Sequence, residues 1–80
     1  MASSNEPILY TRPGCHLCDL VVSMLQALDA GFTPVNIESD RELEGKYGLR
    51  IPVLQLPENG RELCFPFDRE QLAQYLDGKN

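Results

Sequence analysis

The alternation of apolar and polar positions predicts a strand and then a long helix at the start of the chain. A nearly continuous apolar run over Ile8–Thr11 is typical of a strand that is buried on both faces. The segment from about Cys15 to Asp29 has apolar residues at spacings of four, three and four, which predicts a helix. These residues are Leu17, Val21, Met24 and Leu28. More apolar residues widen this stripe, so we expect the helix to be largely covered and to stop at Gly31.

The next pattern predicts an edge strand and a short helix. Apolar residues alternate over residues 32–38, which predicts a strand. Pro34 lies inside this strand and cannot donate to a neighbouring strand, so we place the strand at a sheet edge. Ser39 and Glu42 then have the spacing of a capping box, with Ser39 as the N-cap of a helix that ends near Gly48.

The last third of the chain predicts a hairpin and a closing helix. Two strands, at residues 53–56 and 61–65, flank Asn59-Gly60, a pair that is typical of a tight hairpin turn. Asp68 is the expected cap of a helix that stops at Gly78. The predicted order is therefore β-α-β-α-β-β-α, an α/β fold with a four-stranded mixed sheet and helices on both faces.

Length and composition restrict the class of protein. We expect residues 1–80 to form one domain, with residues 1–6 as a frayed N-terminus. A net charge of -5 and seven scattered basic residues argue against nucleic acid or an anionic membrane as a partner. No apolar stretch is long enough to span a bilayer, and residues 1–6 lack the pattern of a signal peptide. We therefore expect a cytoplasmic protein, and a monomer.

Two cysteines lie where the first strand passes into the first helix. The stretch from Tyr10 to Cys18 reads Tyr-Thr-Arg-Pro-Gly-Cys-His-Leu-Cys, and this context favours a redox motif over a chance pair. In a reducing cytosol disulfides are more often transient and catalytic than structural. The simple alternative is that both cysteines are small core residues.

This stretch resembles the active-site segment of glutaredoxins, which belong to the thioredoxin-like superfamily. Ile51-Pro52-Val53 matches the position of the cis-proline in that superfamily, and the likeness extends over about residues 8–77. It is strongest to short bacterial glutaredoxin-like proteins. The resemblance implies a thioredoxin-like fold of the glutaredoxin type, no bound cofactor, and glutathione as a possible co-substrate. If Pro52 is cis, the Arg50–Ile51 backbone is expected beside Cys15 as an unpaired edge with which an extended thiol substrate pairs. A plain trans proline that opens a strand is the alternative for Pro52.

The resemblance assigns roles to the two cysteines as a redox-active disulfide. Cys15 is the expected nucleophile, because the start of a helix stabilises an anion and lowers a thiol pKa from ~8.5 to roughly 3.5–7.5. Cys18 lies one turn deeper and is the expected resolving thiol. His16 is expected to lower the pKa of the Cys15 thiol further as an imidazolium, unless it is simply an exposed residue of the first turn.

The glutathione side of the site departs from the family pattern. Arg50-Ile51-Pro52 replaces the usual Thr-Val-Pro, and Cys64-Phe65 stands where two glycines usually follow. Of the usual acidic pair, Asp68 is retained. Arg12 keeps the basic residue three positions before the first cysteine. We expect Arg12, Ile51 and Pro52 to bind substrate, with Arg12 on a carboxylate, although a surface arginine without such a role is the alternative.

Cys64 has two interpretations. It is either a core or sheet residue, or a regulatory thiol near the site. A zinc site would need Cys15, Cys18, His16 and Cys64 together. Structural zinc sites usually have two close ligand pairs, and only one such pair is present, so we predict no metal site.

Two functions remain compatible with the sequence. The first is a thiol–disulfide oxidoreductase that uses Cys15 and Cys18, is linked to glutathione, and acts in redox homeostasis on glutathione or protein disulfides. The second is a redox-sensing or binding module whose disulfide opens and closes without turnover. An iron–sulfur carrier is a lesser variant of the second.

Overall fold

A computed structural model describes residues 6–77 of the protein. The elements are β1 (Ile8–Thr11), α1 (His16–Ala27), β2 (Thr33–Asn36), α2 (Arg41–Tyr47), β3 (Val53–Gln55), β4 (Glu62–Cys64) and α3 (Arg69–Asp77). A single 3₁₀ turn, Ile37–Ser39, precedes α2. The predicted element order is confirmed. The helix stop at Gly78 and almost all of the frayed N-terminus, both predicted above, lie outside the described residues.

The four strands form one mixed sheet in the order β2-β1-β3-β4. Strand β1 pairs with β2 in parallel and with β3 antiparallel, and β3 pairs with β4 antiparallel. The edge position predicted for the strand that contains Pro34 is confirmed. The hairpin between β3 and β4 turns at Gly60, whose φ of 72° lies in the left-handed region that favours glycine.

Both faces of the sheet are covered by helices, as predicted. Successive residues of β1 point to opposite faces. Leu9 belongs to a core cluster with residues of α1, β3 and α3 and with a phenylalanine that precedes α3: Val21, Leu25, Leu54, Phe67, Leu72 and Tyr75. Tyr10 belongs to a second cluster, beneath α2, with Ile37, Tyr47 and Val53. Strand β1 is therefore buried on both faces, which explains its apolar run.

Helix α1 is less covered than the sequence predicts. Its buried residues are Cys18, Val21 and Leu25. Leu17 and Leu20 are 49% and 46% exposed, so the predicted coverage of this helix is wrong. The physical reason is that Cys18 fills a core position and rotates the buried stripe away from Leu17. Two leucines thus remain on the surface beside the cysteine pair.

The C-terminus of α1 does not use Gly31, so that prediction is wrong as well. Asp29 follows the helix with a φ of 57°, and its N–H donates to the Gln26 carbonyl at 3.0 Å. The Ala30 N–H donates to the Leu25 carbonyl at 2.9 Å. This is the Schellman arrangement, with aspartate at the left-handed position where glycine is commonest.

The start of α2 also differs from the prediction. The strand ends at Asn36 because the Asn36 side chain accepts from the Glu38 N–H at 2.9 Å and closes a turn. The Ser39 hydroxyl donates to the Asn36 carbonyl at 2.8 Å, so it is not the helix cap. Asp40 caps the helix instead and accepts from the Glu42 N–H at 2.9 Å.

Candidate active site

The cysteine pair lies at the turn from β1 into α1. Gly14 has a φ of 79°, and Cys15 follows as the extended N-cap residue of α1. A disulfide joins Cys15 and Cys18, with Cα atoms 5.2 Å apart. Cys15 is half-buried, whereas Cys18 is 2% exposed and belongs to the core. Cys15 is therefore the sulfur that an incoming molecule can reach.

The Cys15 sulfur occupies the position that a serine or aspartate oxygen takes at an ordinary helix start. It accepts a hydrogen bond from the Cys18 N–H at 3.0 Å. The unpaired N–H groups of the first turn and the helix dipole favour negative charge at this point. His16 is exposed as the first residue of α1 and directly follows Cys15.

Pro52 immediately precedes β3 and is fully buried. The Ile51–Pro52 peptide bond is cis. The superfamily pattern implies that an unpaired backbone edge at Arg50–Ile51 receives the substrate. This expectation is wrong for the backbone N–H groups. Those of Arg50 and Ile51 both donate to the Tyr47 carbonyl, at 2.8 and 3.1 Å, and are therefore already paired.

Arg12 reaches away from its own strand and contacts α2. Its Nη2 donates to the Glu44 carboxylate at 3.3 Å and to the Gly48 carbonyl at 3.5 Å. Its Nε is buried and has no hydrogen-bond partner among the described residues. A Cβ at Gly48 would collide with the Glu44 carbonyl, whereas its distance of 3.5 Å from Arg12 Nη2 would be an ordinary contact.

A cavity of about 510 Å³ opens between this arginine and the end of α2. It is lined by Arg12, Glu44, Gly45, Lys46, Gly48, Leu49 and Arg50. We call it the α2 cavity. The sequence pattern indicates Arg12 as a site residue but does not indicate Lys46 or Leu49. Their position in the sequence, shortly before Ile51 and Pro52, is the feature from which a role at the site could have been predicted.

Cys64 lies in β4 but is exposed, so its placement in the sheet is confirmed and its placement in the core is wrong. Arg50 Nη2 donates to the Cys64 sulfur at 3.1 Å and to the Glu62 carboxylate at 2.8 Å. Both contacts raise the pKa of the Arg50 guanidinium, and the hydrogen bond to Cys64 has the larger effect. Arg50 is thus held between two side chains of β4.

A tyrosine beneath α2 supports the same carboxylate. Tyr47 is 1% exposed, stacks on Tyr10 with ring centres 4.2 Å apart, and donates its hydroxyl to Glu62 at 2.6 Å. The pKa of Tyr47 is raised mainly by burial, and to a smaller extent by this hydrogen bond. The hydrogen bond from Tyr47, followed by that from Arg50, lowers the pKa of Glu62 against the opposing effect of burial. The segment between α2 and β3 is therefore tied to β4 through Glu62.

Within residues 6–77, no three side chains of histidine, cysteine, aspartate or glutamate come together as a metal site would require. None of the helices in this range has the length and apolar character needed to cross a membrane.

A four-stranded mixed sheet between helices, with Cys-x-x-Cys at the start of α1, defines a protein of the thioredoxin-like class. Residues 7–77 match the family model described as Glutaredoxin-like domain (DUF836), and the chain belongs to that family. The resemblance inferred from Cys15, Cys18 and Pro52 is thereby confirmed at the level of family and fold.

Solved structures agree with this assignment. The X-ray structure of the structural-genomics target protein XcR50 from X. campestris is 48% identical, with a TM-score of 0.82, over 92% of this chain and 99% of that one. The solution structure of XcR50 gives 47% identity and a TM-score of 0.81 over 94% and 96%. Protein Ne2328 from Nitrosomonas europaea is 30% identical, with a TM-score of 0.73, over 89% of both chains. No curated protein matches the chain.

Proposed function

We propose that this protein is a thiol–disulfide oxidoreductase that acts through Cys15 and Cys18, with glutathione as its reductant. The observation that carries the proposal is the position of the Cys15 sulfur. It is the reachable sulfur of the pair, it caps α1, and it accepts the Cys18 N–H at 3.0 Å. A thiolate is the reactive species in disulfide exchange, and this position favours one.

The reaction follows from the different burial of the two sulfurs. The Cys15 thiolate attacks a substrate disulfide, forms a mixed disulfide and releases one substrate sulfur as a thiolate. Cys18, buried beneath, then attacks Cys15 as a thiolate, forms the Cys15–Cys18 bond and releases the second substrate sulfur. Two electrons and two protons pass to the substrate. Two glutathione molecules then reduce the pair and leave as glutathione disulfide.

His16 and the residues before β3 complete the proposed site. His16 follows Cys15 on an exposed position, where an imidazolium would add to the stabilisation of the thiolate. Ile51 and Pro52 are proposed to contact substrate through their side chains, since the N–H of Ile51 is already paired. Arg12 would bind a substrate carboxylate through the α2 cavity, together with Lys46 and Arg50.

The test compares three serine variants in glutathione-coupled reduction of a small disulfide such as hydroxyethyl disulfide. We expect Cys15→Ser to abolish turnover, and Cys18→Ser to retain a route that uses Cys15 and glutathione alone. Cys64→Ser is the matched control, because its thiol is exposed on β4 and outside the pair. An unchanged rate in Cys15→Ser would refute the proposal.

A second candidate is a redox-sensing module whose disulfide forms and breaks without turnover. It is favoured by the altered end of β4, where the exposed Cys64 binds Arg50 and the usual glycines are absent. Wild-type protein that shows no turnover with glutathione or a thioredoxin reductase system, yet a reversible Cys15–Cys18 disulfide, would support this candidate over the first.

A further inference from the structure

The α2 cavity concentrates positive charge in an acidic protein. The chain has seven basic and twelve acidic residues. Three of the seven basic residues line the cavity, namely Arg12, Lys46 and Arg50, whereas Glu44 is its single acidic residue. Such segregation against a net charge of -5 attracts an anionic group to this part of the surface.

The three cations differ in how far they are already neutralised. Arg12 pairs with Glu44 at 3.3 Å, and Arg50 pairs with Glu62 at 2.8 Å. Lys46 takes part in neither ion pair of the described residues; its Nζ lies 5.2 Å from the centre of the Tyr47 ring. Lys46 also lowers the pKa of Glu62 through its charge but makes no direct contact with that carboxylate, so it is the one of the three cations most open to an incoming carboxylate.

The rim of the cavity also carries an apolar side chain. Among the described residues, the large apolar side chains left exposed are Leu17, Leu20 and Leu49, and Leu49 is fully exposed. Leu49 lines the cavity, and Leu17 is two residues from Cys15. A small anion would use the cations and leave Leu49 in water. A polypeptide segment with acidic and apolar side chains would cover both.

We infer that the α2 cavity and Leu49 form a docking surface for an acidic segment of a partner protein, whose disulfide exchanges with Cys15 and Cys18. This inference rests on the proposed function and names its substrate class. The partner disulfide accepts two electrons and two protons from the dithiol through a mixed disulfide on Cys15. Arg12 lines the cavity and is three residues from Cys15 in the chain, so a partner docked there is held within reach of the sulfur. Docking therefore raises the rate of that first attack and steers the approach of the partner.

The experiment uses pre-reduced full-length protein that carries Cys64→Ser, so that the exposed Cys64 thiol cannot react, and synthetic peptides, each with one cysteine and one leucine. The cysteine is joined to 2-thiopyridine by a mixed disulfide, so attack on the peptide sulfur releases pyridine-2-thione, which is followed by absorbance. The peptides differ only in having glutamate, glutamine or lysine on both sides of the cysteine. Each second-order rate constant is divided by that for dithiothreitol with the same peptide, which removes intrinsic differences in reactivity.

We expect the acidic peptide to react about tenfold faster than the basic one at low salt, and the ratio to fall as salt rises. Lys46→Glu should lower the rate with the acidic peptide about threefold or more, a size suited to one exposed ion pair. Arg41→Glu is the matched control, since it makes the same charge reversal on an exposed residue of the same helix outside the cavity. It should change the rate less than 1.5-fold.

A further variant separates a protein partner from a small ligand. Leu49→Ser should slow all the leucine-containing peptides about twofold or more and leave the rate with glutathione disulfide unchanged. If Leu49→Ser lowers the rate with glutathione disulfide as much as the rate with the acidic peptide, the cavity binds a small anion and the inference is overturned. Equal rates for all three peptides, or equal effects of Lys46→Glu and Arg41→Glu, would overturn it while exchange itself still supports the proposed function. No exchange with any disulfide would refute the proposed function and the inference with it.

Discussion

Replacing Tyr47 by phenylalanine removes one hydroxyl and leaves the aromatic ring in place. The ring is 1% exposed and stacks on Tyr10, so packing should be conserved. What is lost is the hydrogen bond to Glu62 at 2.6 Å. A hydrogen bond to a charged group contributes about 1.5–3 kcal/mol.

The environment of Glu62 places the expected cost near the lower end of that range. Glu62 keeps its ion pair with Arg50 at 2.8 Å, and its side chain is 22% exposed, so water can replace the lost donor in part. We therefore expect Tyr47→Phe to lower the free energy of unfolding by about 1.5 kcal/mol at pH 7. In a protein of this size that corresponds to a loss of roughly 6–12 °C in Tm.

The pH dependence gives a sharper test than the single value. The pKa of Glu62 is lowered in the folded protein, chiefly by the hydrogen bond from Tyr47. Its stabilising contribution is therefore present above the unfolded glutamate pKa of about 4.3 and is lost as the pH falls through the folded-state pKa. The difference between wild type and Tyr47→Phe should consequently shrink between pH 7 and pH 3.

Urea unfolding followed by far-ultraviolet circular dichroism is the suitable assay, since the chain has no tryptophan. Tyr75→Phe is the matched control. The Tyr75 hydroxyl is also buried but donates to the neutral Arg61 carbonyl at 2.8 Å, so its loss should cost about 0.5–1.5 kcal/mol with little change down to pH 3. An equal cost of Tyr47→Phe at both pH values, or the same response to pH in both variants, would contradict a stabilising hydrogen bond from Tyr47 to ionised Glu62.

Two further substitutions test the backbone around the site. Gly48→Ala should lower the free energy of unfolding by about 1–3 kcal/mol, because the new Cβ collides with the Glu44 carbonyl; urea unfolding measures this change, and a neutral result would contradict the collision. Asp29→Gly should raise thermal stability by about 0.5 kcal/mol, since glycine adopts the left-handed position after α1 without steric cost. A fall in Tm in that variant would show that the aspartate side chain stabilises the turn.

The errors of sequence interpretation share a physical origin in competition for the same groups. Ser39 fits the capping pattern, but its hydroxyl donates to the Asn36 carbonyl. Asp40 therefore caps α2 instead. Leu17 fits the apolar stripe of the first helix, but Cys18, expected to lie deeper than Cys15, takes the core position and Leu17 is exposed. Local spacing predicts that a helix or strand exists. Which residue caps it, or which side chain is buried, depends on contacts with other parts of the chain.

The cysteine pair is the feature that the sequence by itself determined. A strand, a Pro-Gly break and Cys-x-x-Cys before a helical stripe are local signals, and local geometry suffices to place Cys15 at the start of α1. Only the tertiary structure decided what surrounds the pair. Arg12, Lys46 and Arg50 meet at one cavity because α2 packs on the sheet opposite α1. Contacts between residues more than thirty positions apart, such as that between Arg12 and Glu44, depend on that packing and leave no periodic trace in the sequence.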